Sequence, residues 1–93
     1  MNTIMEKARG LVKEKKTDEA IVLLEKQVVG EKEGPEEILM ELGIIYNGKA
    51  DFTQALNYFN AVLRLNPDNG KARTYVNMIN GILDYYCKDL LNP

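Results

Sequence analysis

The chain has 93 residues, a formal net charge of −2 and a pI of about 5.1. This acidic balance does not fit the one-signed basic surface that a nucleic-acid backbone requires, and no apolar stretch is long enough to act as a signal peptide or to cross a bilayer. The single cysteine excludes an internal disulfide, so a reducing cytoplasm is the simplest expected location.

The first 34 residues have the pattern of a helical hairpin. Thr3 and Glu6 have the spacing of a capping box, which predicts the start of a first helix. The charged residues 13–16 indicate a turn, and Thr17 with Asp18 opens a second helix. Residues 31–35, which end in Pro35, then interrupt the helical pattern.

Residues 36–69 show the clearest periodicity of the chain. Two runs of apolar or small residues recur at helical intervals on either side of the turn-prone residues 47–50; they are Leu39, Leu42, Gly43 and Tyr46, then Ala55, Leu56, Phe59, Val62 and Leu63. Asp51 and Gln54 have capping-box spacing, Pro67 stops the second helix, and Asn69 can cap a third. Gly43 costs a helix about 1 kcal/mol relative to Ala, so it implies that two helix axes approach closely there.

These residues resemble a tetratricopeptide repeat, a family with a period of about 34 residues. Its pattern has Leu-Gly, Tyr, a small residue, an aromatic residue and a closing Pro at fixed offsets, which Leu42, Gly43, Tyr46, Ala55, Phe59 and Pro67 match.

A weaker copy of the repeat lies 35 residues upstream. Its residues at the positions of Gly43, Tyr46, Ala55 and Phe59 are Ala8, Leu11, Ala20 and Leu24. The copy departs from the family where Lys7 replaces the usual Leu and Thr17 the usual aromatic residue, and its closing Pro comes one residue late. Since fewer large apolar groups lock this hairpin, we expect it to be the looser of the two.

From about Lys71 to Leu91 the chain predicts one helix of about 30 Å, with Gly81 as its only breaker. Its side chains form three stripes. The first is a core-facing stripe of Ala72, Val76, Ile79, Leu83, Cys87 and Leu90; the second is a polar stripe of Arg73, Asn77, Asn80, Asp84 and Lys88; the third is an apolar stripe of Tyr75, Met78, Ile82 and Tyr85. A polar outer stripe is typical of a unit that ends a solenoid. Asn92 and Pro93 follow the predicted cap, so we expect the domain to be complete there.

Together these elements predict an all-α fold in a single domain, residues 1–93. The expected architecture is a tetratricopeptide-like α-solenoid of two antiparallel helix hairpins and one long C-terminal capping helix. Repeat 1 would occupy about residues 1–34, repeat 2 about 36–69, and the capping helix about 70–91.

The resemblance implies a protein that binds another protein, because in this family the first helix of each hairpin lines a concave groove. The corresponding residues are Met5, Arg9, Val12, Met40, Glu41, Ile44, Asn47, Lys71, Tyr75, Met78 and Ile82. Met, Ile and Tyr with a few charges suit an apolar peptide strand or the apolar face of a helix. The alternative is that some of these side chains only form the edge of a small core.

One subset of the family clamps the terminal carboxylate of chaperone tails with Lys, Asn and Arg side chains. The matching positions are Met5, Arg9, Glu41, Lys71 and Tyr75. Only Lys71 agrees, and Glu41 would repel a carboxylate, so we do not expect this activity.

Catalysis is not expected either. The chain contains no His and no Ser, which removes the commonest general base and the hydroxyl nucleophile of most triads. Cys87 has no His to activate it and is predicted to be a small core residue. No motif for zinc, phosphate or calcium is present, so no cofactor is expected.

Two other hypotheses remain open. Two repeats and a cap are fewer than the three or so units that such arrays usually need, so the chain could form a homodimer, a self-associating scaffold, through the groove or the third stripe of the capping helix. It could also be a regulatory part of a larger protein.

Overall fold

A computed structural model describes residues 3–30 and 36–91, with side chains described for residues 4–28 and 36–85. It contains five helices: α1 (Thr3–Lys13), α2 (Thr17–Gly30), α3 (Glu36–Gly48), α4 (Phe52–Leu65) and α5 (Gly70–Leu91). The described residues include no strand, which confirms the all-helical prediction. Within these ranges, no helix combines the length and the hydrophobicity needed to traverse a bilayer.

The helix boundaries differ slightly from the predicted ones. Helix α3 extends to Gly48, so its turn begins two residues later than residues 47–50 suggested, and α5 begins at Gly70. The side chain of Thr3, residues 31–35 with Pro35, the side chains of Cys87, Lys88 and Leu90, and Asn92 with Pro93 lie outside what the structure describes.

Each helix packs on the next one in the chain, and α1 also contacts α3. The molecule measures 48 × 31 × 20 Å, with a radius of gyration of 14.2 Å. A compact domain of this length would have a radius of gyration of about 12 Å. The chain is therefore elongated, as expected when helices pack on sequence neighbours and not around one common centre.

Two apolar clusters form the interior, and α3 contributes to both. The N-terminal core contains Met5, Ala8, Ala20, Ile21, Leu24, Ile38, Leu42 and Ile45. The C-terminal core contains Leu39, Met40, Ala55, Phe59, Val62, Ala72 and Ile79. No polar or charged residue is buried among the described residues. Helix α3 is thus the wall that the two cores share.

The α1–α2 and α3–α4 turns have the same backbone geometry. Lys15 and Ala50 are 35 residues apart, and both lie in the left-handed region, with φ angles of 63° and 61°. In each turn the residue after this left-handed position donates its N–H to the carbonyl five residues before it. Lys16 donates to Leu11 at 2.8 Å, and Asp51 donates to Tyr46 at 2.9 Å. The 35-residue offset seen in the sequence is therefore also present in the backbone.

Gly43 lies directly against the ring of Phe59. A Cβ atom added to Gly43 would be 2.6 Å from Phe59 Cε1, closer than side chains can approach. Phe59 and Ala55 have no exposed surface. The close approach of α3 and α4 that was predicted at Gly43 is confirmed, and the atom that requires it is an aromatic carbon.

The predicted caps of α4 and α5 are present. Asp51 Oδ1 accepts a hydrogen bond from the Gln54 N–H at 3.3 Å, and Asn69 Oδ1 accepts one from the Ala72 N–H at 2.9 Å. The reciprocal bond of a capping box, from the Asp51 N–H to the Gln54 side chain, was predicted wrongly. The Asp51 N–H donates instead to the carbonyl of Tyr46, in the last turn of α3.

The first two stripes of α5 pack as predicted, as far as their side chains are described, whereas Tyr75 of the third stripe stacks on Phe59. Ala72 and Ile79 are fully buried, and Val76 and Leu83 pack against the C-terminal core. The polar stripe is exposed at Arg73, Asn77, Asn80 and Asp84.

Candidate partner-binding groove

A surface depression of about 300 Å³ lies where α1, α3 and the start of α5 come together. We call this depression the groove. Its lining residues are Met5, Arg9, Glu36, Glu37, Met40, Glu41, Ile44, Asn69 and Lys71. The groove therefore combines residues of α1 and α3 with residues at the start of α5.

Six of the eleven groove positions predicted from the sequence line this depression. They are Met5, Arg9, Met40, Glu41, Ile44 and Lys71. Glu36, Glu37 and Asn69 also line it and were missed. Glu36 and Glu37 lie one helical turn before Met40 and Glu41, so helical periodicity alone would have placed them on the same face.

The other five predicted positions lie outside the lining. Val12 packs against the N-terminal core, and Tyr75 stacks on Phe59 with ring centroids 4.6 Å apart. Asn47 and Ile82 are half-buried, whereas Met78 is 45 % exposed. Tyr75 thus packs at the edge of the C-terminal core.

The floor of the groove is apolar and continuous with the interior. Met5 and Met40 are 5 % and 9 % exposed and belong to the N-terminal and C-terminal cores respectively. Ile44 is half-buried and packs against the C-terminal core. Because these side chains are anchored in the cores, a ligand would meet a floor that is already in place.

An ion pair joins the α1 and α3 sides of the groove. Arg9 donates to Glu41 Oε1 from Nε at 3.3 Å and from Nη2 at 3.1 Å. The Glu41 side chain is only 13 % exposed, whereas the Arg9 side chain is 59 % exposed. The carboxylate is therefore held in the wall, and its cation lies on the solvent side.

A second polar contact fixes the α5 end of the groove. Glu36 Oε2 accepts hydrogen bonds from Asn66 Nδ2 at 3.2 Å and from Asn69 Nδ2 at 2.6 Å. Asn69 also caps α5 through its other side-chain atom. One carboxylate at the start of α3 thus fixes the turn between α4 and α5.

A further polar cluster joins α2, α3 and α4 outside the groove lining. Tyr46 and Tyr58 both donate to Glu25 Oε2, at 3.2 and 2.8 Å, and their rings stack with centroids 5.7 Å apart. Burial raises the pKa of Tyr58 most, and the hydrogen bond to Glu25 and the charge of that carboxylate raise it further. Burial and the Glu25 charge also raise the pKa of Tyr46. Both phenols therefore remain protonated donors at neutral pH, and the cluster acts as a tie between helices.

No group of three His, Cys, Asp or Glu residues in the part of the chain that the structure describes is arranged to hold a metal ion. Comparison of the chain with protein-family models, with curated proteins and with solved structures gave no match.

Proposed function

We propose that this chain is a non-catalytic protein-interaction module of tetratricopeptide type, which binds a peptide or helix of another protein in the groove. The observation that carries the proposal is the convergence of α1, α3 and α5 on one depression. These are the helices that the resemblance assigns to a concave face. The depression has a preformed apolar floor and polar walls, the combination that recognition sites use.

Three features support a solenoid of this type. The two hairpin turns share their backbone geometry at an offset of 35 residues. Helices pack on their neighbours in sequence. The contact between Gly43 and Phe59 joins the positions where the family has the Gly of Leu-Gly and an aromatic residue. Each feature is expected if the chain is built from stacked helical hairpins.

The size of the groove indicates how it would hold a partner. A volume of about 300 Å³ is at the lower end for ligand pockets, so it suits one or two anchoring side chains of a segment that continues over the surface. An apolar anchor over Met5, Met40 and Ile44 would displace water from the floor, and the walls would orient the segment by hydrogen bonds.

An affinity pull-down with the full chain and two charge-matched variants tests the proposal. Ile44→Lys places a charge on the groove floor, and Val22→Lys places the same charge at a 53 % exposed position of α2 outside the groove. Both variants must first match the parent in helical content by circular dichroism. We expect partners of the parent to be lost by Ile44→Lys and kept by Val22→Lys. Retention by both variants would refute binding in the groove.

Self-association is the second candidate, and the exposed apolar side chains of α5 favour it. Met78 and Tyr85 are 45 % and 66 % exposed on this helix. If they form a dimer contact, Met78→Glu should abolish any increase of mass with concentration in sedimentation equilibrium. A monomeric mass of the parent at every concentration would exclude this candidate.

A further inference from the structure

We infer that the groove recognises a peptide segment in which a basic side chain, Lys or Arg, neighbours an apolar one. The inference rests on the proposed function and specifies its partner. It follows from the charges of the described groove residues, from the acceptor atoms among them that no described residue bonds, and from their spacing along α3.

The groove is lined by more acid than base. Among the described lining residues, Glu36, Glu37 and Glu41 oppose Arg9 and Lys71, which gives these residues a net charge of −1 (two cations minus three anions). All three carboxylates belong to α3, whereas the cations lie on α1 and α5. The acidic character is therefore concentrated on the central wall, beside the apolar floor.

The carboxylates also have acceptor atoms that no described residue bonds. Both Arg9 donors bond to Oε1 of Glu41, and both asparagine amides bond to Oε2 of Glu36. Neither Glu41 Oε2 nor Glu36 Oε1 accepts a hydrogen bond from the described residues. The Glu37 carboxylate accepts no hydrogen bond from these residues on either oxygen. A wall whose anionic acceptors have no partner within residues 3–30 and 36–91 is complementary to a ligand that brings cationic donors.

The spacing of the side chains along α3 matches the distance between alternate side chains of an extended peptide. Glu37 and Glu41 lie one helical turn apart, and Met40 and Ile44 form a parallel apolar row. Four residues of helix correspond to about 6 Å, close to the distance between alternate side chains of a strand. A ligand cation between Glu37 and Glu41 would also relieve the repulsion of two like charges at this spacing.

An acidic segment is disfavoured by the same contacts. It would approach three carboxylates, and it could recruit Arg9 only by breaking the pair that compensates the poorly exposed Glu41. Removing the cation from a carboxylate that is largely desolvated is costly. The groove should thus discriminate by charge as well as by hydrophobicity.

The test is an NMR titration of the ¹⁵N-labelled full chain with three short synthetic peptides. In each peptide Leu alternates with one other residue, Lys, Gln or Glu, between flanking glycines. We expect the Leu/Lys peptide to shift the amides of Met40, Glu41 and Ile44 and to bind about fivefold more tightly than the Leu/Gln peptide. The Leu/Glu peptide should bind most weakly. The preference for the Leu/Lys peptide over the other two should shrink as salt is added.

Two charge-reversed variants provide the control. Glu37→Lys changes the groove, and Glu19→Lys makes the same change in the first turn of α2, outside the groove. Glu37→Lys should lower the affinity for the Leu/Lys peptide about fivefold and raise the affinity for the Leu/Glu peptide. Glu19→Lys should change neither affinity by more than about twofold.

The failures are distinguishable. If the Leu/Glu peptide binds the groove as tightly as the Leu/Lys peptide, or if both variants behave alike, the charge inference is overturned while the groove remains a binding site. If none of the three peptides shifts a groove amide, the inference and the proposed function both fail.

Discussion

Replacing Gly43 by Ala should destabilise the protein, although Ala is the better helix former. In an exposed helix this substitution gains about 1 kcal/mol. Here the new Cβ would lie 2.6–2.8 Å from three ring carbons of Phe59, which is fully buried and cannot swing into solvent. Overpacking of a dense core costs about 1–3 kcal/mol. The net effect is a loss of up to about 2 kcal/mol in the free energy of unfolding.

Gly81→Ala is the matched control for this prediction. Gly81 lies within α5, and a Cβ atom there would meet nothing within 4 Å. The substitution should therefore raise the free energy of unfolding by about 0.5–1 kcal/mol. Urea unfolding followed by circular dichroism at 222 nm measures both variants, and 1 kcal/mol corresponds to a shift of about 4–8 °C in Tm for a chain of this size.

A double-mutant cycle identifies the cause. If the ring of Phe59 is the obstacle, Gly43→Ala should cost less in a Phe59→Leu background than in the parent. The close-approach argument is refuted if Gly43→Ala stabilises the parent as much as Gly81→Ala does, or if the cycle shows no coupling.

Three other substitutions test separate contacts by urea unfolding. Tyr58→Phe removes the hydroxyl that donates to Glu25 at 2.8 Å, so the free energy of unfolding should fall by about 1–2 kcal/mol at neutral pH. Because folding raises the pKa of Tyr58, the contribution of this hydroxyl to the stability of the parent should be fully present below about pH 10 and be lost above it. The stability of the variant should therefore fall less steeply above about pH 10. An unchanged slope would contradict the Glu25 contact. Ala50→Gly relieves a left-handed backbone and should stabilise by about 0.5–1 kcal/mol, whereas any loss would contradict that conformation. Asn69→Ala removes both the α5 cap and a bond to Glu36, so a loss of about 1–2 kcal/mol is expected, and a change below about 0.5 kcal/mol would count against both contacts.

Local physics explains why the helices were predictable. Periodic apolar residues, the caps at Asp51 and Asn69, and the stop at Pro67 act within a few residues of one another, so the sequence alone identifies them. The contact of Gly43 was also predictable, because an unfavourable residue inside a helix needs a packing reason.

The groove was only partly predictable, because its composition depends on contacts between distant residues. Periodicity put Tyr75 on an open face, but its ring stacks on Phe59. The bonds from two asparagines to Glu36 join residues that are 30 and 33 positions apart. The ion pair between Arg9 and Glu41 spans 32 positions. No pattern within a single helix encodes such pairings.

The position of α3 between the two cores has a consequence for cooperativity. Ile38, Leu42 and Ile45 face the N-terminal core, while Leu39 and Met40 face the C-terminal one. If the first hairpin separated, it would expose three large apolar side chains of a helix that the second hairpin still needs. The two hairpins are thus thermodynamically interdependent, although their turns share the same backbone geometry. A partner that binds in the groove contacts this same helix, so its binding energy would stabilise both halves at once.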